Sequence, residues 1–167
     1  MTKDFDDRMI QAKLGELKKG HKSWSRLDTK GKTAYIYRAM KRIYKAPYLV
    51  ANAESYNAGT QRSCDMFGLF DLVVITNTQT IGVQATGADW AEHINRYRTE
   101  RLQTALHWLE CPSRRFEQWG WRKLKGWNKD GTRSQRTIAT PKVQVITAKF
   151  LLGKEEPTMI YPFSERK

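Results

Sequence analysis

Apolar and polar positions recur along this chain with two different periods, and the change from one to the other maps its elements. Phe5, Met9, Ile10, Leu14 and Leu17 fall at helical spacing over residues 4–19, and Gly20 follows as a stop. Residues 21–32 are polar, broken by Gly31, and read as a connector. Ile36, Met40 and Ile43 predict a second helix over 33–45, ended by Pro47, with a short strand at 48–52. The period then shortens. Residues 70–76 (FDLVVIT) and 80–86 (TIGVQAT) are rich in β-branched residues and flank a polar Asn-Thr-Gln stretch, which predicts a β-hairpin. Trp90, Ile94, Tyr97, Ala105 and Trp108 return to helical spacing and predict one long helix over 89–109, capped at Thr86 or Asp89 and ended by Pro112. Residues 115–124 and 142–152 read as further strands. Helices alternating with strands in this order give the α/β class, a mixed sheet with helices on its faces and an N-terminal helical extension.

Alternation sorts the hairpin's side chains. Phe70, Leu72 and Val74 are expected on one face, with Asp71, Val73 and Ile75 on the other. A two-residue turn at 77–78 sets Asp71 opposite Gln84, and a turn at 78–79 sets it opposite Thr86. Either register gathers Asp71, Gln84 and Thr86 on one surface, with Leu72, Val74, Val83 and Ala85 behind them. A carboxylate beside an amide oxygen suits Mg²⁺, and also Mn²⁺, because Mg²⁺ takes one or two protein oxygens and keeps waters for a substrate phosphate. Such an ion activates water and neutralises charge on a scissile phosphate. The plainer alternative is a salt-bridged strand aspartate beside a buried amide network.

Composition narrows the partner. The 167 residues fit one domain, with 30 Lys and Arg against 17 Asp and Glu for a net charge of +13. The excess is concentrated between residues 111 and 149, where Arg114, Arg115, Arg122, Lys123, Lys125, Lys129, Arg133, Arg136, Lys142 and Lys149 face only Glu117 and Asp130. That excess points to a polyanion. The cations are dispersed through Trp- and Gly-rich sequence rather than along one amphipathic helix, which argues against a membrane surface. No apolar run is long enough to span a bilayer, and charged residues occupy the place of a secretory signal. Cys64 and Cys111 have neither CxxC nor zinc spacing and read as reduced thiols of a cytoplasmic protein.

The segment RSCDMFGLFDLVVI…IGVQATG, a long helix and then QWGWRKL together resemble the PD-(D/E)xK nuclease superfamily, in particular small phage-type proteins related to restriction endonucleases and Holliday junction resolvases. The resemblance covers residues 33–125. It implies a restriction-endonuclease-like core there and leaves both ends unexplained; by their own pattern 1–32 read as a helical extension and connector and 126–167 as a basic C-terminal strand region and tail. It also implies metal-dependent cleavage of DNA in the cytoplasm (a host cytoplasm if the chain is of phage origin), and often a homodimer. The motif's aspartate falls on Asp71 and its second acid on Gln84. Asp65, within the RSxD context, stands for the acid that other members carry on the preceding helix, with Glu54 as the alternative. Thr86 occupies the lysine position and carries no charge. Lys123 is the first substitute expected, on a strand beside the hairpin, with Arg62 and Lys125 behind it. The uncharged Thr86 keeps a second reading open, a catalytically silent DNA-binding protein on a nuclease scaffold.

The remaining candidates are weighed on chemistry. Trp119 and Trp121 share a strand face and are expected to pack on the long helix, whereas Trp127, beside Lys125 and Lys129, reads as a surface contact for unpaired bases. Arg62, Arg114, Arg115 and Arg122 complete the expected phosphate-contacting set. His93 and His107 are too far apart on one helix to share a metal. Arg96, Arg98 and Arg101 read equally as phosphate contacts or a solvated face. A third reading, a protein-binding component with an acidic partner, is separated by indifference to nucleic acid.

Overall fold

The computed structural model describes residues 34, 36–38, 40, 41, 48–60, 62–87, 89–127 and 131–160, with residues 56, 57, 62, 63, 121–124, 126, 127 and 136–141 through their backbone alone. The expected helix over 4–19, its connector and Lys129 lie outside these residues.

Among the described residues eight strands are formed: β1 (Leu49–Asn52), β2 (Ser55–Asn57), β3 (Arg62–Cys64), β4 (Leu72–Ile75), β5 (Thr80–Ala85), β6 (Arg114–Trp127), β7 (Arg133–Ile146) and β8 (Thr158–Ile160). Six make one mixed sheet in the order β1-β4-β5-β6-β7-β8, while β2 and β3 pair separately. Every pair among the described strands is antiparallel except β5 with β6. That parallel pair needs a crossover, and it is made by α1 (Trp90–Arg98) and α2 (Leu102–Leu109). A short α3 (Ala148–Leu151) follows β7, and Thr147 caps it by accepting from the Phe150 amide at 3.0 Å. The class is therefore α/β, a mixed sheet flanked by helices.

The hairpin forms as its pattern requires. Thr76 closes the turn: its amide donates to the Gln79 carbonyl, and its Oγ1 accepts from the Thr78 and Gln79 amides. Leu72 then stands opposite Val83 and Val74 opposite Ile81, the register of the 77–78 turn. Leu72, Val74, Ile81, Val83, Trp119, Val143 and Val145 form a core on one face with Ile36 and Met40 from the helical residues 34, 36–38, 40 and 41. On the other face Phe70, Tyr97, Ala105, Trp108, Phe116, Ile146 and Phe150 pack under the three labelled helices.

Four expectations are corrected. The predicted long helix breaks at Thr99–Arg101 into α1 and α2, where the Thr99 and Arg101 amides both turn back to the Arg96 carbonyl. Residues 148–151 are helical rather than strand, and β7 instead begins at Arg133. Phe70 lies on the face opposite to Leu72, because it precedes the strand and is bridged to Met66 rather than to β5. Its ring covers Gly82, where a Cβ would come within 2.5 Å of it. Trp119 packs on the Ile36 and Met40 side, away from α1 and α2, because its side chain alternates with Gly120, which lies under Trp90.

Candidate functional site

Asp71 is fixed before its side chain is considered. Its amide donates to the Val83 carbonyl at 3.0 Å, and its carbonyl accepts from Ala53 at 2.7 Å and Glu54 at 3.2 Å. The preceding Phe70 is wedged among Trp108 and Phe116, with ring centroids at 4.6 and 4.9 Å. Backbone and aromatic anchor together hold the residue at the mouth of the hairpin.

Asp71 is buried, with 7% of its surface exposed. Gln84 Nε2 donates to its Oδ2 at 2.6 Å and the Ala85 amide donates to the same oxygen at 2.7 Å. Burial nonetheless pushes its pKa up, with the charges of Asp65 and Glu54 adding to it, to about 7. The Ala85 amide opposes that rise and does not cancel it. Two further acids thus bear on Asp71 in a chain whose net charge is +13.

Asp65 comes from a tight loop in which Phe67 and Gly68 both adopt left-handed φ, at 59° and 67°. Arg96 clamps this loop, donating to the Gly68 carbonyl at 2.9 Å and pairing with Asp65 at 3.4 Å. From the same helix, His93 and Tyr97 lie with ring centres 6.2 Å apart. His93 has its pKa lowered, first by burial and then by Arg96, which favours the neutral ring. The buried Tyr97 hydroxyl is pushed far upward, chiefly by burial, and so remains protonated. The Gln84 Oε1, Thr86 Oγ1, His93 Nδ1 and Tyr97 hydroxyl atoms are buried without a hydrogen-bond partner among the described residues.

Sheet register continues the site sideways. Gln84 stands beside Gln118 and Gln118 beside Gln144, so Asp71 heads a row of buried amides across β5, β6 and β7. Gln118 Nε2 donates to the Trp90 carbonyl at 3.0 Å and ties the row to the start of α1.

The sequence candidates therefore separate. Asp71, Gln84, Thr86 and Asp65 come together. The expectation of Lys123 beside the hairpin is corrected: β5 ends where Ala85 meets Trp119, and Lys123 lies four residues further along β6, opposite Ala139. Arg122, Lys125 and Trp127 occupy the same outer stretch of β6, with Lys125 exposed. Arg62 lies on β3 opposite Asn57. Arg114 and Arg115 lie at the other end of β6, level with Thr80 and Ile81. Arg114 is exposed, its guanidinium 5.2 Å from the Trp108 ring centre. Arg115 is corrected as an exposed phosphate contact: it is buried and pairs with Glu117 at 2.6 Å. Glu117 in turn accepts from Trp119 Nε1 at 2.8 Å. His93, Arg96, Tyr97 and Gln118 were not singled out by sequence as members of this cluster. Their helical or strand period marks a buried face without saying what that face covers.

A hard divalent cation is tested against these side chains by their chemistry. Asp71, Asp65 and the Gln84 amide are oxygen donors of the type that Mg²⁺ takes, and Gln84 Oε1 and Thr86 Oγ1 are two of the buried oxygens left without a hydrogen-bond partner among the described residues. Among the described residues no group of three or more His, Cys, Asp or Glu is arranged to hold a metal unaided. The donor set fits an ion that keeps most of its shell as water and substrate oxygen, and it does not fit a fully protein-enclosed ion. No helix among the described residues is long and apolar enough to cross a membrane. Comparison with protein-family models, with curated proteins and with solved structures finds no match to this chain.

Proposed function

We propose that this chain is a metal-dependent nuclease that hydrolyses phosphodiester bonds in DNA, on a core of restriction-endonuclease-like type. The observation that carries the reading is the buried Asp71 carboxylate, held at the hairpin by Gln84 Nε2 at 2.6 Å and by the Ala85 amide at 2.7 Å, its pKa raised by burial and by the charges of Asp65 and Glu54, within a protein that is otherwise strongly cationic. Like charges brought together this way cost stability, and a cation between acids and phosphate offsets that cost.

Asp71 and Asp65 would hold the ion, which supplies Lewis-acid charge and a more acidic water when bound. Gln84 steers Asp71 through the 2.6 Å hydrogen bond, and turning its amide by half a turn exchanges the donor for an oxygen. Arg96 brings positive charge to Asp65 from α1, the helix that also carries the neutral His93. The phosphate-bearing partner is held by cations on the outer part of β6 and β7.

The second reading is a nucleic-acid-binding protein without catalysis. It is favoured by Thr86, which puts no charge where the resembled motif has lysine, and by the lack of a three-residue metal group among the described residues. One experiment separates the two. Duplex, branched and single-stranded DNA are incubated with Mg²⁺ or Mn²⁺ and either wild type or Asp71→Ala. Cleavage by the wild type alone supports the nuclease. Salt-sensitive binding by both proteins with cleavage by neither overturns it in favour of the silent binder.

A further inference from the structure

Beyond the sheet, β6 and β7 continue as an arm. β5 leaves β6 at Trp119 and β8 leaves β7 at Val143, yet β6 and β7 stay paired from Gly120–Lys142 out to Trp127–Arg133. Over that stretch neither strand has a second neighbour among the described strands. Seven residue steps make a ribbon about 24 Å long. A two-stranded ribbon of this kind buries little of its own and is marginal in water by itself. Its sequence carries Arg122, Lys123, Lys125, Lys129, Arg133, Arg136 and Lys142 against the single acid Asp130. Lys125 and Arg133 are exposed, and Arg133 reaches across to the Lys125 carbonyl at 3.2 Å.

The arm is also placed with respect to the acids. β5 and β6 run parallel, so the end of β5 that carries Gln84 is the end from which β6 departs. Gln118 stands beside Gln84, and the arm starts two residues later at Gly120. Its root is braced on α1: the Trp90 ring covers Gly120, where a Cβ would come within 2.5 Å of it, and Lys142 Nζ lies 3.7 Å from the centre of that ring. The arm and the Asp71 site thus share one end of the molecule.

From these relations we infer that the β6–β7 arm is a duplex-DNA-binding ribbon that lies in the major groove and lays the flanking backbone over the Asp71 end of the sheet. This rests on nucleic acid being the partner, as proposed above, and does not depend on cleavage. The major groove of B-form DNA, about 12 Å wide, admits a two-stranded ribbon. The deep, narrow major groove of an RNA duplex does not, so the arm selects DNA over RNA in duplex form. Cations along a two-stranded ribbon also keep its edges from pairing with foreign strands, a role indifferent to nucleic acid.

The test is fluorescence anisotropy in EDTA, so that cleavage plays no part, with duplex DNA, duplex RNA and single-stranded DNA of one sequence. Wild type is compared with a variant in which an Asn-Gly turn replaces residues 123–139. The triple variant Lys123→Gln/Lys125→Gln/Arg133→Gln is used should the shortened chain not fold. The expected result is duplex-DNA binding weakened at least about tenfold, with the slope of log affinity on log salt flattened by about 2 or more. Duplex RNA should bind the wild type more weakly than duplex DNA and be little affected by the change. A folded variant with unchanged affinity and salt slope overturns the arm and leaves the nuclease reading standing. Equal losses for duplex RNA or single strands overturn groove docking. Arm-dependent binding without cleavage under Mg²⁺ leaves the arm and removes the nuclease.

Discussion

Gln84 Nε2 lies 2.6 Å from Asp71 Oδ2, and the next residue's amide donates to that same oxygen at 2.7 Å. Two donors on one carboxylate oxygen ordinarily hold an aspartate ionised. Here burial and two neighbouring acids outweigh them, and the group titrates near neutrality.

Stability should therefore depend on Asp71 in a defined pH window. Its folded pKa of about 7 lies above the ordinary 3.8, so the folded state holds the proton more tightly than the unfolded chain. Its contribution is fully present below about pH 3.8 and is lost as pH rises through about 7. That gap corresponds to at most about 4 kcal/mol. Asp71→Asn should melt increasingly above wild type as pH is raised from 5 to about 8, with no further gain beyond it. Parallel thermal melts across that range that never diverge would count against a buried, protonated Asp71.

Asp65 contributes to that shift by its charge, so Asp65→Asn should lower the Asp71 pKa. Carbon-13 NMR titration of the Asp71 carboxyl reads this directly. An unmoved or higher midpoint would mean that the two carboxyls do not sense one another.

Gly82→Ala should destabilise the protein by about 1–3 kcal/mol, because the new methyl overlaps the Phe70 ring. The displaced Phe70 would carry Asp71 with it, so on the nuclease reading proposed above the variant should also lose cleavage of DNA beyond its loss of stability. Urea denaturation gives the first effect and single-turnover cleavage the second.

The neighbouring arginines 114 and 115 should behave differently. Arg115→Ala leaves Glu117 buried without its cation and should cost about 3–5 kcal/mol. Arg114→Ala removes an exposed cation over Trp108 and should cost less than about 1 kcal/mol. Urea midpoints for both variants decide this, and similar costs would refute the buried pair.

Much of the site was legible before the fold. Alternation put Asp71, Gln84 and Thr86 on one face, and the register observed is the one set by a two-residue turn at 77–78. Periodicity failed wherever a contact distant in sequence decides the outcome. Phe70 leaves the alternation because Gly82 leaves room for its ring, and Lys123 misses the hairpin because β5 stops at Ala85 while β6 runs on. The helix break at Thr99–Arg101 has no Gly or Pro to announce it. Nor does charge alone distinguish Arg115, sealed against Glu117, from the exposed Lys125.

The lone parallel pairing among the described strands has a consequence for the order of folding. β6 and β7 are joined by a short connection and can zip locally, whereas β5 meets β6 only after the whole segment between Ala85 and Arg114 has been closed into a loop. Closing a long loop before any contact rewards it makes such a step slow. The arm is thus expected early, and the junction of Gln84 with Gln118 among the last contacts made. Pulse-labelled hydrogen exchange during refolding should protect β6–β7 amides ahead of the Thr86 amide, which donates to Trp119 across that junction. A chain at that stage would hold the arm and the hairpin as two separately formed pieces, not yet joined through Gln84 and Gln118.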